Sequence, residues 1–201
     1  MSLAVKAVGF IAALAAPVLA AFEKPVQNIK LNYGQDAVTV VFRSKSSPIT
    51  KVKPLCDCTT TTHSGHTLTA HVDTSKFDQT VDKHIDVTTA DGKKTKLTMH
   101  FEVPQAVVLS APSLLWKRGA APAPQVLRLT LPKGSPVQDI TEAAISGNDF
   151  FFTPEKGKNK GEFLVTVTPK STSKKCFNRL IISTSSADSR YARFIVYLQV
   201  R

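Results

Sequence analysis

Two cysteines stand two residues apart in the run Cys56-Asp57-Cys58-Thr59, and His63 and His66 follow around Ser64-Gly65. On an extended strand, residues two apart face the same side, which would leave the two Cα atoms about 6.6 Å apart with both sulfurs on one face. Thiolates and imidazoles are the donors that soft ions take. A Cys-x-Cys-x4-His-x2-His series folded back by the glycine could therefore close over Cu(I) or Zn(II). The same residues admit a plainer reading, which the sequence favours because a motif alone is weak support for a site. The cysteines then pack as small apolar side chains, or join across a local turn, since bridged Cα atoms sit about 5.5 to 6 Å apart. The histidines are then solvated on a loop. No resident cofactor is expected, and Cu or Zn are the ions to test.

Other reactive groupings are thinner. Alternation puts Leu97, Met99, Phe101 and Val103 inward, so His100 and His84 face outward, and a turn at Asp91-Gly92-Lys93 would pair residue 84 with residue 100. Two facing imidazoles can share a metal, but an exposed polar face is the commoner explanation, and the pair is not taken as a site. Ser64-Gly65 lacks the glycine-flanked elbow of a serine hydrolase, and no pair of carboxylates is marked out as acid and base. Asp73, Asp78, Asp82 and Asp86, with Lys76 and Lys83 between them, read as a charged sheet face. Phosphate-loop, dinucleotide and zinc-hydrolase spacings do not occur. The expectation is a protein that is not an enzyme.

The elements that would position these residues are strands. Alternation with a period of two runs through Ala37-Val38-Thr39-Val40-Val41-Phe42, Leu97-Thr98-Met99-His100-Phe101, Val126-Leu127-Arg128-Leu129 and Phe194-Ile195-Val196-Tyr197-Leu198. Turn chemistry returns about every dozen residues, which is the texture of antiparallel sandwiches. Only residues 138–146 suit a short helix, ended by Gly147-Asn148. The composition breaks near Pro104. A boundary at about 105 gives an immunoglobulin-like unit over 21–104, carrying the Cys-x-Cys-Thr run, and a second over 105–201, with the Pro/Ala segment 120–124 as a loop inside it. The expected fold class is thus all-β, two tandem immunoglobulin-like antiparallel sandwiches. Trp116, the only tryptophan, should anchor the second core.

The chain of 201 residues has 26 Lys and Arg against 15 Asp and Glu, and the excess is uneven. Residues 21–104 hold 11 basic and 9 acidic groups, net +2, and residues 105–201 hold 14 and 6, net +8. All five His and the first two Cys fall in the first half. The basic second half, with Lys156-Gly157-Lys158-Asn159-Lys160, Lys174-Lys175, Arg190 and Arg193, could hold an anionic glycan, lipid head groups or an acidic partner, or merely keep the protein soluble. Nucleic acid is not expected, since no recognition helix or stacking motif is evident.

At the N-terminus, Lys6 precedes an apolar stretch over residues 7–16 and then Pro17-Val18-Leu19-Ala20, with small residues where a signal peptidase reads. Residues 1–20 read as a signal peptide, with the mature chain starting at Ala21. No later run is long enough to span a bilayer as a helix, so no transmembrane anchor is expected in the mature chain. The expected location is exported, periplasmic or extracellular. Three cysteines are an odd number and far below the density of a disulfide-stapled scaffold, so at least one thiol lacks a partner within the chain.

The run Val38-Thr39-Val40-Val41-Phe42, then Ile49-Thr50-Lys51-Val52, then Cys56-Asp57-Cys58-Thr59, resembles an exported bacterial family known as domain of unknown function 1573. Its hallmark is Cys-Gly-Cys-Thr after an Ile-x-x-Val strand, and Asp57 stands where that family has glycine. The resemblance covers residues 26–104, and the stretch 163–200 is similar to the second sandwich often found behind it. It implies Hydin-type immunoglobulin-like domains and no catalytic residue. The function expected is a non-enzymatic binding, adhesion or scaffolding module of the bacterial envelope. Its protein partner would add a strand at an exposed sheet edge. The alternatives are a periplasmic soft-metal or thiol handling protein using Cys56 and Cys58, and a polyanion-binding envelope protein using the basic half.

Overall fold

The computed structural model describes residues 21–201, so the leader expected over residues 1–20 lies outside the described residues. The first sandwich is built from β1 (Val26–Lys30), β2 (Ala37–Arg43), β3 (Ile49–Pro54), β4 (Thr59–Ser64), β5 (Thr67–Asp73), β6 (Val81–Thr89) and β7 (Lys94–Glu102). One sheet runs β1-β7-β6-β3 and the other β2-β5-β4. The second contains β8 (Val108–Leu109), β9 (Ser113–Trp116), β10 (Gln125–Thr130), β11 (Ile140–Ile145), β12 (Phe150–Lys156), β13 (Glu162–Pro169), β14 (Cys176–Thr184) and β15 (Arg193–Val200). Its sheets run β12-β13-β10-β8 and β11-β14-β15-β9. Both are immunoglobulin-like β-sandwiches.

The two units start the same way. Each first strand begins on one sheet and crosses to the other at a proline. Phe22 bridges to Ser44 beside β2, and β1 then runs parallel to β7. β8 pairs with β10, and β9 then runs parallel to β15. The crossing carbonyls are used alike: Pro25 accepts from the Thr98 amide at 2.8 Å and Pro112 from the Tyr197 amide at 3.1 Å. Proline suits such a crossing because it has no N–H to leave unpaired and fixes φ near the extended region.

The alternating residues read from the sequence supply the cores. Leu68, Ala70, Ile85, Leu97, Met99 and Phe101 are fully buried in the first cluster, together with Phe22. Leu127, Leu129, Val167, Leu180, Ile182 and Leu198 are fully buried in the second, where Trp116 packs against Phe150 and donates its indole N–H to the Ala123 carbonyl at 2.7 Å. Segment 120–124 is a loop of the second unit, as its composition suggested.

Two local expectations are corrected. Residues 138–146 do not form a helix: Ile140–Ile145 is strand β11, pairing antiparallel with β14 from Ile140↔Thr184 to Ile145↔Leu180. The ladder and three β-branched residues outweigh a helix propensity that rested on two alanines and an acidic start. The β6–β7 hairpin is also closed one residue earlier than the Asp91-Gly92-Lys93 turn implied, because the Thr89 amide bonds the Lys93 carbonyl at 3.0 Å around Ala90-Asp91-Gly92. Moving a turn by one residue moves every pair by two. His84 therefore faces Thr98, with Nδ1 3.1 Å from its hydroxyl, and His100 faces Asp82, with Nδ1 2.6 Å from the carboxylate.

The units meet at a polar joint. Arg190, in the β14–β15 loop, has a side chain only 8% exposed. It donates from Nε and Nη2 to the Asp188 carboxylate at 3.0 and 2.6 Å, and across the joint to Asp36 at 2.9 Å and the Thr74 carbonyl at 3.4 Å. Tyr191 meets Tyr33 edge to face, with centroids 5.9 Å apart, and the Tyr33 hydroxyl donates to the Gln105 carbonyl at 3.0 Å. Arg190 is thus not part of the solvated basic surface in which the sequence placed it.

The hydrogen bonds from the Arg190 side chain hold Asp188 below the usual carboxylate range. A depressed carboxylate stabilises the fold above its ordinary pKa of about 3.9 and loses that contribution as pH falls through the lowered value. Replacing Arg190 with Met should cost about 2 kcal/mol, as expected for hydrogen bonds to a charged group, and should separate the unfolding transitions of the two sandwiches. Calorimetry checks this. In wild type the same loosening should begin only below about pH 4, seen as a rise in the radius of gyration by X-ray scattering.

Candidate functional site

The cysteine run lies in the corner where the chain leaves β3 for β4 and so changes sheets. The corner turns within residues 55–58, which brings the Cα atoms of Cys56 and Cys58 to 5.3 Å, and the two residues form a disulfide. Both are half-buried, and Asp57 between them is exposed. Backbone bonds hold the corner independently. The Leu55 amide donates to His84 at 3.0 Å, the Asp73 amide to Cys58 at 2.8 Å, and the Thr59 amide to Cys56 at 3.4 Å. The buried Thr59 hydroxyl lies 3.3 Å from the Cys56 sulfur and 3.7 Å from the Cys58 sulfur. Closing a loop of three residues constrains the unfolded chain little, by about 1.6 kcal/mol on the chain-entropy relation.

His63 and His66 are not brought to this corner. Gly65 does make the expected turn, at φ 53°, but the turn closes the β4–β5 hairpin at the far end of β4. His63 lies five steps along the chain from Cys58, about 16 Å at the rise of a strand. Among the described residues, no group of three or more His, Cys, Asp and Glu side chains converges as a metal cluster would require. The folded-back four-ligand set is not assembled, because β4 must stay extended to pair with β5. What the corner does border is a hollow of about 310 Å³. Cys58 lines it with Asp36, Asp57, Asp73 and His71, and no Lys or Arg lines it. Hydrogen bonds from Ser75 hold Asp73 below the usual carboxylate range, and Asp36 is the residue paired with Arg190.

The matching corner of the second unit, residues 146–149, has no sulfur. Gly147 adopts φ 150°, and a side chain there would collide with Asn178, which is buried and donates to Asp149 at 2.6 Å. Cys176, the remaining cysteine, is a free thiol, half-buried at the start of β14. Burial, and then the Asp149 carboxylate, push its pKa up.

The charged loops of the second unit sort to its two ends. Lys156, Lys158 and Lys160 lie at the end facing the joint, around a hairpin gathered by buried Glu162, which accepts from Asn159 at 3.3 Å and pairs with Arg128. At the opposite end, Lys117, Arg118, Lys170, Lys174, Lys175 and Arg201 are all exposed, against Asp149 as the acidic residue of those loops. Backbone bonds tie this end together: Arg118 donates to Arg201, Arg201 to Trp116, and Gly119 to Thr172. Beside it, on the outer face of β9, β14 and β15, Phe177 is 59% exposed and stacks on Tyr197, 43% exposed, with centroids 5.7 Å apart. Leu115 and Ile195 extend the patch, and Phe151, exposed on β12, lies under the Lys170 ammonium at 5.0 Å. The sequence reading missed this grouping because its cations are spread from residue 117 to residue 201. Its one available signal was outward-phased aromatics at Phe177 and Tyr197.

Of the sheet edges, most are guarded. β12 carries Pro154, and β3 carries Lys51, Lys53, Pro54 and a bulge. β11 is bulged, β8 has two residues, and β2 is covered where Glu23 and the Gln27 side chain donate to its carbonyls. β4 has six residues with no proline, lysine or bulge. Since the Val41 and Arg43 carbonyls point away from β5, the alternation of the ladder directs the N–H and C=O of Thr61 and His63 outward from β4.

No family model matches the chain, and no curated protein matches it. Solved structures resemble the chain only at low identity and low TM-score. Titin domains z1z2, crystallised in complex with telethonin, are 11% identical, with 89% of this chain and 93% of that chain covered and a TM-score of 0.32. An I-band fragment of titin is 12% identical, covering 89% and 63%, at 0.34. A tri-modular endo-beta-1,4-glucanase from Bacillus licheniformis is 10% identical, covering 90% and 38%, at 0.31.

The two corners should respond differently to substitution. Gly147→Ala should destabilise the second unit by about 2 kcal/mol through its backbone conformation and the clash with Asn178. Asp57→Ala, exposed at the equivalent place, should stay within about 0.5 kcal/mol of wild type. Urea denaturation followed at Trp116 and by circular dichroism checks both.

Proposed function

We propose that this chain is an exported, non-catalytic two-domain binding module of the bacterial envelope, and that its second unit seats an acidic protein segment at the end remote from the joint. The observation that carries the reading is the exposed Phe177–Tyr197 stack beside six exposed cations. An aromatic pair left in water serves neither core, and contiguous exposed apolar surface with Tyr, Phe and Arg is the composition of interface centres. Arg179 lies directly across from Tyr197 on the same face. A second copy would bring like charges together, whereas an acidic segment with apolar side chains satisfies both features. The resemblance at Cys56-Asp57-Cys58-Thr59 and the leader-like residues 1–20 support an exported origin.

A random copolymer of glutamate and tyrosine tests the reading against polyglutamate of the same length and against anionic vesicles. The copolymer should bind more tightly than polyglutamate, and the F177S/Y197S pair should lose at least tenfold in affinity for it. Lys174→Glu with Lys175→Glu should weaken both polymers, with an effect that shrinks as salt rises. Equal binding of the two polymers, unaffected by F177S/Y197S, would replace the protein partner with a simple polyanion; binding to vesicles alone would point to lipid head groups.

A second reading, strand addition at an edge, is favoured by β4, whose Thr61 and His63 keep outward backbone groups and carry none of the guards found elsewhere. Thr61→Pro removes an N–H that the ladder does not use. Any partner that pairs with β4 should lose binding to that variant while the unfolding midpoint moves by only a few degrees. A partner bound equally well by the variant does not use this edge.

A further inference from the structure

We propose that the Cys56–Cys58 disulfide is a thiol–disulfide exchange site, entered at Cys58 and opened without unfolding the sandwich. Three observations carry this. The bond spans only two positions of the chain, and the corner it sits in is fixed by the backbone bonds of Leu55, Thr59 and Asp73, so its opening releases no strand. Cys58, and not Cys56, lines the hollow through which a thiol can approach. The Thr59 hydroxyl is nearest the other sulfur, Cys56, at 3.3 Å.

These positions define one direction of attack. An incoming thiolate forms a new S–S bond to the Cys58 sulfur, and the bond to Cys56 breaks. Its electron pair goes to the Cys56 sulfur, which the Thr59 O–H is placed to stabilise before it takes a proton from water. With a dithiol, the second thiolate attacks the mixed disulfide and releases Cys58. The dithiol ends as a disulfide and the protein gains two electrons as two thiols. Thr59 acts here as a positioning residue, supplying a hydrogen bond to the leaving sulfur.

The hollow also sets the class of partner. Asp57 and Asp73 face an incoming anionic thiol, Asp36 is drawn into the ion pair with Arg190, and apart from His71 the approach has no basic side chain, neither Lys nor Arg. A thiol on a cationic molecule or a basic protein surface is the partner that fits. Cys176 lies in the other unit, where burial and then Asp149 push its pKa up.

The test uses the full chain in a Cys176→Ala background, reduced separately by cysteamine, 2-mercaptoethanol and mercaptoethanesulfonate at equal thiolate concentration. Reactions are quenched by alkylation and the mixed disulfide is mapped by peptide mass. The expected order is cationic, then neutral, then anionic, spread over about tenfold at low salt and compressed by salt and by Asp57→Asn. The mixed disulfide should sit on Cys58 with the alkyl group on Cys56. Thr59→Val should slow opening several-fold, Thr59→Ser should restore it, and the fully reduced protein should unfold cooperatively within roughly 10 °C of the oxidised one. The proposal is overturned if the bond opens only at denaturant concentrations that unfold the domain, or if the probe maps to Cys56. A rate order that ignores thiol charge would overturn the partner class alone.

Discussion

A guanidinium shut away from water governs how the two sandwiches present everything else. Arg190 satisfies two carboxylates and a carbonyl from opposite sides of the joint, and an arginine so placed cannot be released without leaving Asp188 unpaired. Through Arg190 and Tyr191 the joint end of the second unit is thereby committed to the first. The opposite end is left free, and there the exposed cations and the Phe177–Tyr197 stack are found. Asp36, one of the two acids that hold Arg190, also forms part of the hollow at the cysteine corner, so a single side chain belongs to both places.

The two units show how one architecture meets the same local demand with different chemistry. Both begin with a strand divided between sheets at a proline, and both must turn a corner to reach the fourth strand position. In the first unit the corner is narrowed by two sulfurs, with a threonine hydroxyl beneath them. In the second it is narrowed by a glycine whose missing side chain admits a buried asparagine. The sulfur version places reactive atoms beside a hollow at the surface.

The all-β fold and most of the core could be read along the chain because a period of two is a local property: Leu97, Met99 and Phe101 announce their burial by position alone. Strand β11 could not, since its alanines and acidic start carry helix propensity and the ladder that overrides it comes from β14, some forty residues away. The histidines of β6 and β7 were placed on the correct strands but in the wrong register, because one residue of turn length decides every pair. The bridge between Cys56 and Cys58 was legible as one of several outcomes, conditional on a turn that composition does not specify. Arg190 looked like any loop cation, and its burial depends on Asp36, 154 positions earlier in the chain. The basic end was invisible for the same reason: its charges are neighbours only once three loops and the last residue have been folded together.

Phe22 is 1% exposed and fills the first core, while the Glu23 amide donates to Arg43 of β2 and the Ala21 carbonyl accepts from the Lys45 amide just beyond it. The first core therefore depends on a side chain that precedes the first strand of its sheet. A cut on the C-terminal side of Phe22 would take away a core side chain as large as any in the unit.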